Sequence, residues 1–168
     1  MYKTGDKVIY PGTGVCIIKD IINQKFLHTD ERTYYVLKAV YDNSDTTIYC
    51  PVDSTEVNLK KLLDKDEILE LIHTIPQKTL WIENDNERRK LFSALLREGD
   101  RQKLLCMITE IHKKLKEKEA EGKKLHLSDE KALEKAEKML YQEIAYSLNM
   151  EIEAVSSFIR NETAEIFS

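Results

Sequence analysis

The sequence predicts an α+β protein, with a small β-rich domain over residues 1–60 and an all-helical domain over 61–168. Two observations carry that division. Through residue 57 the apolar residues are β-branched or aromatic and come in short runs broken by turn residues. From Asp64 onward they recur at intervals of three and four, the period of helices with one buried face. At 168 residues, 42% of them hydrophobic, the chain can bury a core in each of two small domains.

The first element is the stretch GDKVIYPGTGVCII at 5–18, two β-prone runs around a tight turn. Pro11 fixes φ, and Gly12 and Gly14 tolerate positive φ, so Pro-Gly-Thr-Gly reads as a hairpin turn. Further strands are expected at 33–41 and 46–50, after a polar loop around His28-Thr29-Asp30-Glu31 and a second turn at Asp42-Asn43-Ser44-Asp45. Four or five strands with one buried face make a stable small sheet or half-open barrel, where a lone hairpin is not stable.

The helical half reads as five segments. Ile68, Leu69, Leu71 and Ile72 mark a short first helix that Pro76 follows; Leu91, Phe92, Leu95 and Leu96 mark a second, ended by Gly99 as a C-cap. A third runs from Asp100 to about Glu121 on Leu104, Leu105, Ile108, Ile111, His112 and Leu115. Ser128, followed by Asp129 and Glu130, is the expected N-cap of a fourth helix through Leu133, Ala136, Leu140, Ile144 and Leu148. Asn149 is the expected cap of a fifth, carried by Ile152, Val155, Phe158 and Ile159.

Composition excludes several classes. No apolar run approaches the ~20 residues that span a bilayer, and the first residues lack the apolar segment of a signal peptide, so a cytoplasmic protein without a membrane partner is expected. Cys16, Cys50 and Cys106 are odd in number and far apart, which fits buried apolar residues and not a disulfide framework or thiolate metal site. The net charge of −4 hides an uneven distribution. Residues 86–124 hold 12 Lys and Arg against 7 Asp and Glu, whereas 125–168 hold 4 against 9.

Enzyme signatures are missing. Gly12-Thr13-Gly14 is neither a dinucleotide fingerprint nor a phosphate loop, there is no H-E-x-x-H or G-x-S-x-G, and the four histidines are not spaced for a shared metal. No catalytic residue, cofactor, metal or small-molecule substrate is expected. The basic interval is the stronger signal. Arg88, Arg89 and Lys90 open one helix, and Lys113, Lys114, Lys116 and Lys118, then Lys123 and Lys124, continue the charge. Such a surface can neutralise duplex phosphates, but Glu110, Glu117, Glu119 and Glu121 interleave with the lysines as on a solvated helix face. Trp81 likewise has two readings: an indole plugging the bundle core, or a ring pressed on a DNA groove beside the basic cluster.

The order GDKVIYPGTGV, YYVLK at 34–38, IYCPVD at 48–53, then R-R-K to G-D at 88–100 and a helical remainder resembles the CarD (CdnL) family of bacterial RNA polymerase-binding transcription regulators. The resemblance implies a Tudor-like β module, shared with the transcription-repair coupling factor, that docks on the polymerase β subunit by an exposed strand edge. That strand corresponds to Thr46, Thr47, Ile48 and Tyr49. It implies too that the helical domain contacts promoter DNA upstream of the melted region, through residues matching Arg88 and Lys90, with Arg89 beside them; the wedge tryptophan of better-known members corresponds to Asp85 here, with Trp81 one turn earlier. The expected function is a non-enzymatic regulator that docks on polymerase and stabilises the open complex by largely backbone contacts to promoter DNA, through Trp81, Arg88, Arg89, Lys90, Lys123 and Lys124. The alternative is an adaptor that binds polymerase or another large enzyme without touching DNA.

Overall fold

The computed structural model of the chain describes residues 1–76 and 80–167. The protein divides into two compact units, Met1–Leu63 and Asp64–Ser168. The division falls just beyond the expected boundary at 60, because a short strand at Lys60–Lys61 returns to the first sheet.

The N-terminal unit is one five-stranded antiparallel sheet: β1 (Lys7–Tyr10), β2 (Gly14–Gln24), β3 (Arg32–Ala39), β4 (Thr47–Pro51) and β5 (Lys60–Lys61), in the order β4-β3-β2-β1-β5. The first four make a meander, and β5 adds beside β1, pairing Val8 with Lys61. Thr13 N–H donates to Tyr10 O at 3.1 Å across the first turn, where Gly12 and Gly14 take φ of +78° and +100°. A Cβ on Gly12 meets nothing within 4 Å, so its φ alone sets the cost of a side chain there. Gly12→Ala is expected to destabilise this unit by about 1 kcal/mol, read as weakened protection of the slowest-exchanging amides of β1 and β2. Unchanged protection would contradict the assignment.

β2 is long enough to bend. Its register on β3 shifts between Ile18 and Asp20, and the extra residue changes which parity faces inward. Cys16 and Ile18 therefore pack with Val8, Tyr35, Leu37 and Cys50, while beyond the shift Ile21, and not Asp20, joins that cluster. Tyr2 ties the N-terminus over the same core: its N–H donates to the Tyr35 hydroxyl and its own hydroxyl to Leu59 O, both at 3.1 Å.

The C-terminal unit holds α1 (Lys65–His73), α2 (Asp85–Glu98), α3 (Arg101–Ala120), α4 (Leu127–Leu148) and α5 (Ile152–Phe167). Asp64 and Glu67 form a reciprocal capping box at the start of α1. Gly99, at φ +66°, ends α2, and Asp100 at once caps α3 by accepting from Lys103 N–H at 2.9 Å.

Two expected caps are corrected. His126, not Ser128, is the N-cap of α4, since its carbonyl already accepts from Asp129 and Glu130 N–H; the Ser128 hydroxyl instead lies 2.9 Å from His126 Nδ1. Asn149 closes α4 in the left-handed region at φ +51° and does not open α5, a conformation its short polar side chain tolerates.

α4 packs against each of the other four helices. Ile68, Ile72, Phe92, Leu105, Met107, Ile111, Leu140, Ile144 and Val155 are fully or almost fully buried around it. Within this core Glu143, 2% exposed, takes a bidentate pair of contacts from Arg101 at 2.8 Å, linking α3 to α4. Among the described residues no helix is long and apolar enough to cross a membrane.

Candidate functional site

The N-terminal unit offers one open edge with usable chemistry. β4 pairs with β3 on one side only, Tyr49 opposite Val36 and Ile48 opposite Leu37. Val52 N–H donates to Thr33 O at 3.0 Å, which fixes the parity of the ladder. Ile48 and Cys50 therefore bond inward to β3, and Thr47 and Tyr49 turn their N–H and C=O groups to the open edge. Pro51 shares that outward parity, so its missing N–H breaks no bond to β3. Thr46 lies one residue before the strand, exposed, its hydroxyl accepting from Ser44 Oγ at 3.0 Å. Lys38 bonds Asp45 at 2.8 Å beside it, and that hydrogen bond holds the Asp45 carboxyl below its ordinary range.

The side chains on the outer face extend this edge. Tyr49, 45% exposed, meets Phe26 edge-on at 5.2 Å, and Phe26 meets the buried ring of Tyr34 at 5.0 Å. Leu27, next in the loop, is 90% exposed. An open strand edge bordered by aromatic and aliphatic groups is what an extended peptide needs to add a strand. Phe26 and Leu27 were not among the expected residues. Their signal was an apolar pair at the mouth of a polar loop, where a hairpin does not need one.

In the helical unit the expected basic residues part company. Arg88, expected on a DNA-facing surface, is 3% exposed. Its Nε donates to Asp129 Oδ1 at 2.9 Å, Nη2 to Asp129 Oδ2 and Asp85 Oδ1 at 2.7 Å each, and Nη1 to the carbonyls of Ile82 and Glu83 at 2.8 and 3.4 Å. All five guanidinium donors have acceptors within the unit, and none remains for a phosphate. The hydrogen bonds it donates to Asp129 hold the Arg88 proton more firmly than usual, and Arg88 in turn lowers the Asp85 carboxyl. Arg88 is thus corrected from surface contact to internal anchor. Its burial follows from the helix phase, which puts it on the inner face with Phe92 and Leu95.

Trp81 is half-buried beside it. The Arg88 guanidinium carbon lies 4.2 Å from the ring centroid, Lys114 Nζ 5.5 Å, and Phe92 meets the indole edge-on at 6.4 Å. The ring therefore works as a packing surface for two cations. Asp85, the position the resemblance equates with a wedge, ligates Arg88.

The remaining expected cations are exposed. Arg89 donates to Asn86 Oδ1 on its own helix, Lys90 and Lys124 face solvent, and Lys123 pairs with Glu121 at 3.2 Å. Along α3, Lys113 pairs with Glu110 at 3.3 Å and Lys114 with Glu117 at 3.0 Å, so that lysine run is interleaved with its own counter-charge. His112, expected in the core, is a half-buried partner of Glu137 at 2.7 Å between α3 and α4.

Burial pushes the Cys16 thiol up to about 11 and raises those of Cys50 and Cys106, so none is a thiolate at neutral pH. Residues 2–63, essentially the whole N-terminal unit, match the family model of the CarD-like/TRCF RID domain. That domain interacts with the RNA polymerase β subunit, which gives the chain a polymerase partner and a transcription-related role. No curated protein sequence matches the chain.

Proposed function

We propose, from the premise that this chain is a CarD-like protein by the RID domain it carries, that it is a non-enzymatic regulator of transcription initiation acting in the cytoplasm. The open edge of β4 takes up an extended segment of the polymerase β subunit, and the helical unit holds promoter DNA upstream of the melted region and so lengthens the life of the open complex. The observation that carries the docking half is the outward-facing main chain of Thr47 and Tyr49, bordered by Tyr49, Phe26 and Leu27. Main-chain pairing supplies affinity there, and the apolar border supplies register. Once tethered, the chain meets DNA at a high effective concentration, so weak backbone contacts suffice. An adaptor that never touches DNA is the second reading, favoured by the internal engagement of Arg88.

The test is binding of the purified chain to an immobilised polymerase β fragment, with open-complex lifetime on a linear promoter measured in parallel. Saturable binding of the native chain and a longer lifetime are expected. Binding no better than that of the unfolded chain would sink the docking half. Intact binding with no effect on lifetime would favour the adaptor.

A further inference from the structure

We infer that the groove between α3 and α5 is a docking site for an acidic segment of another protein, which seats one apolar side chain in it. The groove lies wholly within the helical unit, and its use does not depend on the DNA-contacting half of the reading above.

The helix period builds the groove. On α3, Leu105, Ile108, His112 and Lys116 recur at intervals of three and four, and on α5 Ser156, Ile159 and Thr163 do the same, with Arg160 beside them. Both helices pack on α4. Their two faces meet over Tyr141 of α4 and leave a half-open cavity of about 170 Å3. Leu105, Ile108, Tyr141 and Ile159, each at most 8% exposed, give it an apolar floor. The polar atoms of the walls are already engaged. The hydroxyls of Thr109 and Thr163 donate one turn back, to Leu105 O at 2.8 Å and to Ile159 O at 2.9 Å. The Tyr141 hydroxyl is hydrogen-bonded with Ser156 and Glu137, and His112 lies 2.7 Å from the same glutamate. Burial, and after it the Glu137 charge, push the Tyr141 hydroxyl up to about 12, so the floor stays neutral.

Charge and size together name the occupant. Lys113, Lys116 and Arg160 line the groove, and among the described residues no Asp or Glu does. Lys113 is paired with Glu110 at 3.3 Å, whereas Lys116 and Arg160, on opposite walls, have no ion-pair partner among the described residues. Unpaired lysines alone mark no site, for Lys118 and Lys124 are unpaired too. Those two line the cleft beside Trp81 together with Glu83, Asp85, Glu117, Glu121 and Asp129, which supply counter-charge within it. The α3–α5 groove instead joins uncompensated cations to an apolar cavity. A cavity of roughly 150 Å3 holds one benzene ring, whereas drug-sized ligands fill ~300 Å3 or more. The space therefore suits one phenylalanine or leucine side chain, the anchor of a peptide, and the cations select acidic neighbours of that anchor. A nucleobase of similar size would bring edge donors and acceptors that the engaged hydroxyls leave unmet, at a cost to binding.

The experiment uses the full chain and a fluorescein-labelled peptide with one phenylalanine between two pairs of glutamates, followed by fluorescence anisotropy and by amide NMR shifts. The peptide is expected to bind saturably and to shift the amides of Ile108, Lys116, Ser156 and Arg160. Alanine in place of its phenylalanine is expected to weaken binding by about tenfold or more. Lys116→Glu/Arg160→Glu is expected to weaken it by about fivefold or more at low salt, and Lys123→Glu/Lys124→Glu to change it little. All four positions are exposed, and circular dichroism checks that both variants stay folded. No saturable binding, an equal loss in the two variants, no effect of the alanine peptide, or shifts confined to other residues overturns the proposal. So does a single-stranded oligonucleotide of matched charge that shifts the same amides more strongly, which gives the groove to nucleic acid. A shift of those amides with protein concentration alone gives it to a second copy of the chain and likewise overturns the proposal. These measurements involve neither polymerase nor promoter, so their failure is distinct from failure of the transcription reading.

Discussion

Asp129→Ala is expected to lower the stability of the helical unit by about 3–5 kcal/mol, the range for removing one partner of a buried ion pair. Asp129 is 1% exposed and takes two of the five donors of Arg88, itself 3% exposed. Without that carboxylate the guanidinium stays buried with a charge that Asp85, on the surface, only partly offsets. Arg88 also holds the carbonyls of Ile82 and Glu83, so the loss propagates into the segment that carries Trp81. Trp81 is the chain's single tryptophan and lies beside Arg88, so its fluorescence follows this unit alone during denaturant unfolding. Replacing both partners, as in Arg88→Met with Asp129→Leu, is expected to cost much less, because no uncompensated charge remains. A single-variant loss below about 1 kcal/mol would mean that the network is solvated, contrary to its burial.

Thr47→Pro is expected to weaken binding to the polymerase β fragment by about tenfold or more while leaving the fold intact. The Thr47 N–H faces the open edge, so proline there removes a donor offered to the partner and leaves the β3 pairing whole. An unmet main-chain acceptor on the partner costs about 1–3 kcal/mol, and 1.4 kcal/mol is a factor of ten in affinity. Ile48→Pro, one residue on, removes an inward donor and is expected to disrupt the sheet. Amide exchange of β3 separates the two outcomes. Full affinity in Thr47→Pro, with the sheet preserved, would rule out strand addition at this edge and leave the aromatic border as the docking surface.

Much of the fold was legible because local chemistry and final structure agree. The turn at Pro11–Gly14 lies where two φ-permissive glycines flank a threonine, and Gly99-Asp100 stops one helix and starts the next by side-chain chemistry alone. β5 was not legible: Lys60-Lys61 carries no strand pattern, and only pairing with β1 makes it one. The caps of α4 and α5 were misread because serine and asparagine suit more than one position at a helix end, and the backbone bonds decide which is used. The candidate site divided in the same way. The docking strand at Thr46–Tyr49 was reached through the family resemblance and not through the strand pattern, and Phe26 does not show its partner Tyr49 in any local run. Arg88 and Arg89 are neighbours of like chemistry, and a rotation of one residue around α2 makes the first an internal anchor and leaves the second on the surface. The spacing to Phe92 and Leu95 puts Arg88 on the inner face, and its buried partner there, Asp129, lies 41 positions away, beyond the reach of local pattern.

The meander has a consequence for the order of assembly. β1 with β2, β2 with β3 and β3 with β4 are neighbours in the chain as well as in the sheet, whereas β5 reaches β1 across the whole unit, Lys61 to Val8. Closing that last pair carries the largest loop entropy and the highest contact order in the unit. The edge offered to a partner lies at the opposite end of the sheet, built from hairpins that form early. Strand β4 is thus positioned by local folding alone, and a chain emerging from the ribosome presents it before the far edge is sealed.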